Sequence, residues 1–248
     1  MEILVFGFPS SEKEQADRSF QNFTRLNIRY NPVLRYRTGF AVKVLQVSAT
    51  DMIGGAGIAA YRLQKGLQAI GVDVEMLVYR KASSDSSIHR MLPRMSRWQR
   101  LQTRYAMRQH SRILKQYPRK PDSAYWNLNH KNYPIAEVIN SFHADVVHVH
   151  WIGDNYLPIQ QLEKINAPIV WTLHDMWGFT GGCHYAADCT RYTQHCGSCP
   201  QLEQSSPEDI SHQINNLKAQ SWQHLPLTIV CPSHWLADCA RQSTIFKD

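Results

Sequence analysis

The chain has 248 residues, 43% of them hydrophobic and 10% aromatic, which is enough to bury a substantial core as one large domain. It has no run of about 18 or more apolar residues, and Met1 to Phe8 is too short and lacks the basic leader of a secretion signal, so neither a spanning helix nor an export signal is expected. Net charge is +7, but ten Lys and Arg lie between residues 90 and 120 without one Asp or Glu, and removing that segment turns the remainder negative. Basicity is therefore local. No nucleic-acid-binding motif accompanies it, so the expectation is a cytoplasmic protein without a nucleic-acid partner.

In chain order, residues 1–41 read as a poorly ordered extension: polar and charged, without a sustained period, and broken at Asn31-Pro32. The folded domain is expected over 42–248, starting with a buried strand at 42–48. The turn Gly54-Gly55-Ala56-Gly57 opens a helix whose Ala60, Leu63, Leu67 and Ile70 share one face, with Gly71 as its stop. Residues 72–79 form the next strand and complete a βαβ unit. After a loop at 83–87, residues 91–116 read as a helix. Arg97, Arg100, Arg104, Arg108, Arg112 and Lys115 make a basic stripe on it, beside a short apolar stripe of Trp98, Leu101 and Tyr105. A loop at 118–133 precedes a helix at 135–142, a strand at 145–151, a helix at 157–165 and a strand at 168–175. A Gly- and Cys-rich excursion at 176–206 is too long for an ordinary connection. The chain continues with a helix near 208–222, a strand at 227–231 and a helix at 233–240 that Ser233 would cap.

Two of these strands, Asp145-Val-Val-His-Val-His-Trp151 and Pro168-Ile-Val-Trp-Thr-Leu-His-Asp175, are continuous apolar runs that end on histidine. Such runs belong to parallel sheets covered on both faces, which predicts an α/β, Rossmann-like fold with helices on both sides. Ligands of these sheets bind beyond the carboxyl ends of the strands, where His150 and His174 fall. The glycine turn adds a helix N-terminus, whose free N–H groups favour an anion. It is not the dinucleotide fingerprint, because Gly-x-Gly-x-x-Gly is absent.

Cys183, Cys189, Cys196 and Cys199 lie within seventeen residues, with His184 and His195 interleaved. The Cys-x2-Cys end suits a structural zinc, though the wider first spacing departs from common zinc patterns; free thiols and disulfides are the alternatives. No Asp-x-Asp pair is present to hold a divalent metal with a nucleotide sugar, so no cofactor is expected for catalysis. The basic segment, residues 97–115, suits an anionic membrane surface at the inner face of the plasma membrane.

Taken together, Val44-Leu-Gln-Val-Ser48, Gly54-Gly-Ala-Gly57, the two histidine-ended strands, Thr180-Gly-Gly-Cys-His-Tyr185, Cys196-Gly-Ser-Cys-Pro-Gln-Leu202 and Pro232-Ser-His-Trp-Leu236 resemble the N-terminal domain of glycosyltransferase family 4. The likeness is to transferases of the bacterial exopolysaccharide and colanic-acid type. The resemblance implies a GT-B fold and retaining transfer from a nucleotide-diphosphate sugar to a polysaccharide or lipid-linked glycan, with no obligatory metal. It places Gly54, Gly55 and Gly57 near the donor phosphates, His174 on the transferred sugar with Asp175 beside it, and His150 and Trp151 on the acceptor side. The family's second, donor-side domain carries a Glu-x7-Glu pair, and no such pair occurs in these residues. The expectation is an acceptor-side half that is incomplete alone: a fragment, a split product or a decayed enzyme. The alternatives are a non-catalytic glycan-binding module and a zinc hydrolase using His150, His174 and the cysteines.

Overall fold

Every residue from Leu45 to Thr50 is buried, and an unbroken buried run in a strand requires cover on both faces. The computed structural model describes residues 2–5, 42–117 and 125–247. Within them the strands are β1 (Glu2–Val5), β2 (Lys43–Thr50), β3 (Asp73–Arg80), β4 (Ile88–Arg90), β5 (Val146–Val149), β6 (Ile169–Thr172) and β7 (Leu227–Cys231). They form one sheet in the order β1-β7-β6-β5-β2-β3-β4, with every neighbouring pair parallel. The helices are α1 (Gly54–Ala69), α2 (Arg97–Leu114), α3 (Ile135–Asn140), α4 (Ile210–Trp222) and α5 (His234–Gln242).

Alternation along the strands separates two cores. Leu45, Val47 and Leu77 belong to the larger, with residues of α3, α4 and α5, while Met76 and Val78 join Ala60 of α1 in the smaller. Successive strand residues face opposite ways, so the two cores lie on the two faces of the sheet and helices cover both. This is the expected Rossmann-like architecture.

Several elements differ from the sequence reading. Glu2–Val5 falls in the segment read as an extension, yet pairs with β7 as an edge strand; residues 6–41 lie outside the described residues. The buried residues of α1 are Gly57, Ala60 and Gln64, and Ile70 beyond its end is 61% exposed. The reason is a polar contact: the buried Gln64 side chain donates from Nε2 to Ser87 Oγ at 2.7 Å. Helix α2 starts six residues later than expected, at a capping box in which Ser96 Oγ accepts from Gln99 N and Gln99 Oε1 accepts from Ser96 N. The segment read as a helix at 157–165 is a 3-10 turn, Ile159–Lys164.

The excursion after β6 contains only two short 3-10 turns, Trp177–Phe179 and Arg191–Thr193. It is held from α4. The buried Lys218 ammonium donates to Trp177 O and, at 3.0 Å, to Thr180 O, and lies 3.6 Å from the Trp177 ring centre. Burial pulls this lysine down to about 7. Asp209 caps α4 through Ser211 N and His212 N and also accepts from Cys199 N at 2.7 Å, which stitches the cysteine segment to the helix.

The close seating of α1 on β2 gives a test. A Cβ on Gly57 would lie 2.5 Å from Thr50 Oγ1 and 3.1 Å from the Thr50 carbonyl oxygen, whereas one on Gly66 meets nothing within 4 Å. Gly57→Ala is expected to destabilise by about 1–3 kcal/mol through overpacking. Gly66→Ala is expected to stabilise by about 0.5–1 kcal/mol through helix propensity. Urea unfolding of the two variants checks the contrast; equal effects would show that α1 is not pressed against Thr50.

Candidate functional site

The strands β2, β5 and β6 are adjacent and run the same way, with Gln46 level with His148 and His148 level with Val170. Whatever follows their carboxyl ends therefore shares one rim: the glycine turn after β2, His150 after β5 and His174 after β6. At the turn, Gly54 has φ +71°, a conformation that favours glycine, and both Gly54 and Gly55 are exposed. No side chain caps α1 and no acidic residue lies in its first turn, so its N–H groups and positive end face the rim unopposed. Gly57, in the first turn of α1, is buried against Thr50.

The histidines come together. His148 and His150 have ring centres 4.3 Å apart, and His150 and His174 stack at 5.4 Å with His150 Nδ1 3.1 Å from His174 Nε2. His148 Nε2 lies 2.8 Å from Thr172 Oγ1. Strand alternation accounts for the cluster, since Gln46, His148, His150, Thr172 and His174 all sit on the α1 face of the sheet. Burial is the main cause holding these rings neutral. It pushes His148 down to about 4, with His174 adding like-charge repulsion, and pushes His150 well below its ordinary range, with His148 and His174 adding the same. Burial also lowers His174, against the opposing pull of Asp175.

Asp175 does not stand free beside His174. Its Oδ1 accepts from Trp177 N at 2.8 Å and its Oδ2 lies 2.6 Å from His184 Nδ1. His184 Nε2 is in turn 2.8 Å from Asn127 Nδ2, and Asn127 Oδ1 accepts from Asp154 N. Asp175 thus orients His184 and closes the turn after β6. Trp151 lies against this pair, 5.8 Å from the His184 ring and 6.3 Å from the Tyr125 ring. The Tyr125 hydroxyl donates to Asp154, which Arg80 also meets at 3.3 Å. A small cavity of about 10 Å³ is lined by His150, Trp151, His174, Asp175, Trp177 and His184. Sequence reasoning missed Gln46, His148, His184 and Asn127 as members of the site. His148, two residues before His150 in a strand, was open to the period-two argument; Asn127 carries no local signal.

The sequence profile described as Glycosyltransferase Family 4 matches residues 53–244. The chain belongs to glycosyltransferase family 4. It is also 25% identical over 197 residues to the protein named "Putative colanic acid biosynthesis glycosyl transferase WcaC" of Escherichia coli (strain K12). That match covers 75% of this chain and 47% of the relative, so the chain spans about half the length of the curated relative it matches.

Two further features of this family 4 domain lie away from the rim. Cys183, Cys189, Cys196 and Cys199 line one cavity of about 20 Å³, and all are free. Burial pushes the Cys183 and Cys196 thiols up to about 12 and raises Cys199. Four thiols around one cavity have the chemistry of a closed zinc site. Among the described residues, however, no three His, Cys, Asp or Glu side chains are arranged to hold a metal ion. The thiol cavity shares no lining residue with the one holding His150 and His174, so the structure does not assemble the cluster a zinc hydrolase needs.

Among the described side chains of α2, Thr103, Ala106 and His110 are buried. The apolar stripe faces outward, with Trp98 69%, Leu101 55% and Tyr105 66% exposed, beside the exposed Arg97, Arg104, Arg108, Arg112 and Lys115. Arg100 leaves the basic stripe, because its guanidinium donates to Met95 O and Pro93 O. No helix of the described residues is long and apolar enough to cross a membrane.

The neutral histidines set a pH dependence. In the unfolded chain each takes a proton below about 6.5, whereas folded His148 does so only near 4. Between those values the unfolded state binds more protons, so this contribution is present above 6.5 and is lost as pH falls toward 4. The loss is up to about 1.4 kcal/mol per pH unit per histidine. Thermal melts from pH 7 to pH 4 should show this acid limb, and His148→Gln should make it shallower. An unchanged slope in that variant would mean that His148 is charged in the fold.

Proposed function

We propose that this domain forms the acceptor-side half of a retaining sugar transferase, moving a sugar from a nucleotide-diphosphate sugar to a polysaccharide or lipid-linked glycan. The observation that supports it most is the shared rim, where an uncapped helix N-terminus at Gly54 and Gly55 stands on the strand next to the one that ends at His150, with His174 one strand further. An anionic diphosphate suits the helix end, where each interaction contributes roughly 0.3–1 kcal/mol when exposed. The sugar between phosphate and acceptor then falls to His174, and the half-open aromatic surface of Trp151 and Tyr125 offers a stacking face for the acceptor.

In this reading negative charge develops on the departing diphosphate, and positioned donors and cations stabilise it. The glycine turn supplies part of that; the rest belongs to a donor-side domain facing this one across a cleft, with the Glu-x7-Glu pair these residues lack. No step uses a metal, and the cysteine segment serves the fold. The test is transfer of labelled sugar from a panel of nucleotide-diphosphate sugars to lipid-linked glycan, with this domain and its donor-side partner both present. His174→Ala is expected to lower the rate by about 10²–10³-fold with an unchanged melting temperature. Full activity in that variant would remove His174 from the chemistry. Acceptor binding with no transfer from any donor would favour the non-catalytic glycan-binding module.

We also propose that α2 rests on an anionic membrane surface. An exposed aromatic and leucine stripe beside five exposed cations is the pattern of an interfacial helix, and each cation near such a surface contributes about 1 kcal/mol. The protein is expected to float with phosphatidylglycerol vesicles and not with phosphatidylcholine vesicles. Arg104→Glu with Arg108→Glu, and separately Trp98→Ser with Tyr105→Ser, should each reduce flotation. Flotation that ignores both pairs would place the contact elsewhere.

A further inference from the structure

A buried glutamine fixes which way the histidine rim points its protons. Gln46 is fully buried on β2, beneath α1. Its amide orientation follows from the two backbone groups it meets. Nε2 donates to Ala60 O at 3.0 Å and Oε1 accepts from Gln64 N at 3.1 Å; the reverse orientation would set oxygen against a carbonyl and N–H against N–H. The second hydrogen on Gln46 Nε2 is then committed to His150 Nε2, also at 3.0 Å.

The consequence runs ring to ring. A neutral imidazole carries one proton, so a His150 that accepts at Nε2 holds its proton on Nδ1. That atom is 3.1 Å from His174 Nε2 and donates to it. His174 therefore accepts at Nε2 and carries its own proton on Nδ1, an atom with no hydrogen-bond partner among the described residues. Burial keeps both rings neutral, which the relay requires.

We propose that Gln46 is a positioning residue that sets, through His150, the tautomer of His174, so that the rim offers a substrate an N–H donor and not a lone pair. His174 then binds a ligand oxygen, a sugar hydroxyl or a phosphate oxygen, as a hydrogen-bond donor. It cannot act as a base from this state without reversing the relay back to Gln46. The catalytic meaning rests on the sugar-transfer reading above; the tautomer does not.

The experiment is long-range ¹H–¹⁵N correlation NMR on the chain labelled at its histidines, without substrate. His150→Phe and His174→Gln spectra assign the two rings. In the wild type, both are expected as the Nδ1–H tautomer, the opposite of the form that free imidazole side chains favour in water. Gln46→Met removes the donor while leaving Gln64 N and Ala60 O free to pair with each other as in an ordinary helix turn. In that variant the His150 and His174 signals are expected to lose the single-tautomer pattern and show Nε2 protonation. A wild-type His174 protonated on Nε2 overturns the proposal by itself, whether or not the variant folds. An unaltered pattern in folded Gln46→Met overturns the role of Gln46. A failure to bind or transfer any nucleotide sugar would sink the functional reading and leave these spectra as expected.

Discussion

All of the rim geometry depends on one constraint, the parallel in-register pairing of β2, β5 and β6. Because the three strands run the same way and in register, the glycine turn, His150 and His174 all follow strand carboxyl ends on the same side of the sheet. A slip of one residue in any of the three would turn its side chains to the opposite face of the sheet. The glycine turn and the imidazoles would then no longer share a surface. Register here is pinned by apolar alternation on the larger core, where Leu45, Val47, Val147, Val149, Ile169 and Trp171 interlock.

That same alternation places polar side chains on the opposite face, which carries Gln46, Ser48, His148 and His150 beneath or beside α1. Burying such groups without partners costs about 1–3 kcal/mol each, so the face is tolerable only because most are paired. Gln46 meets two backbone groups and a ring, His148 meets Thr172, and His150 meets both Gln46 and His174. A network of this kind gives up little mobility. It holds His174, partly buried at its end, in one orientation before any ligand arrives, and such preorganisation favours a binding group. Asp175, His184 and Asn127 do the same for the turn after β6, and the His184 ring lies 5.8 Å from that of Trp151.

The sheet was largely legible. Unbroken apolar runs ending in histidine, a glycine turn between strand and helix, and a Pro-Ser N-cap each name an element with a mechanism, and β7 falls on its expected residues 227–231. The 3-residue β4 lay hidden because it is too short to show a period, and the 3-10 turn at Ile159–Lys164 because its apolar spacing does not distinguish it from an α-helix. The outward stripe on α2 was a different failure. Periodicity reveals that Trp98, Leu101 and Tyr105 share a face, but only the packing of Thr103, Ala106 and His110 decides which face turns inward. At the site, the strand-end histidines could be read in advance. Asn127 could not, because it reaches the rim through a long-range contact that leaves no local pattern, and His184 was read only as a residue interleaved with the cysteines.

The pairing of β1 with β7 carries a consequence for how the domain is made. Glu2 stands level with Thr228 and Val5 with Cys231, so this edge of the sheet joins segments far apart in the sequence. During synthesis β1 is made before β7 and stays unpaired until β7 follows it. Closure of so long a loop comes late and slowly. Until then β7, once formed, presents bare N–H and C=O groups along its outer side, open to capture by another chain. β1 is thus the seal on this edge of the sheet, applied only once β7 is in place.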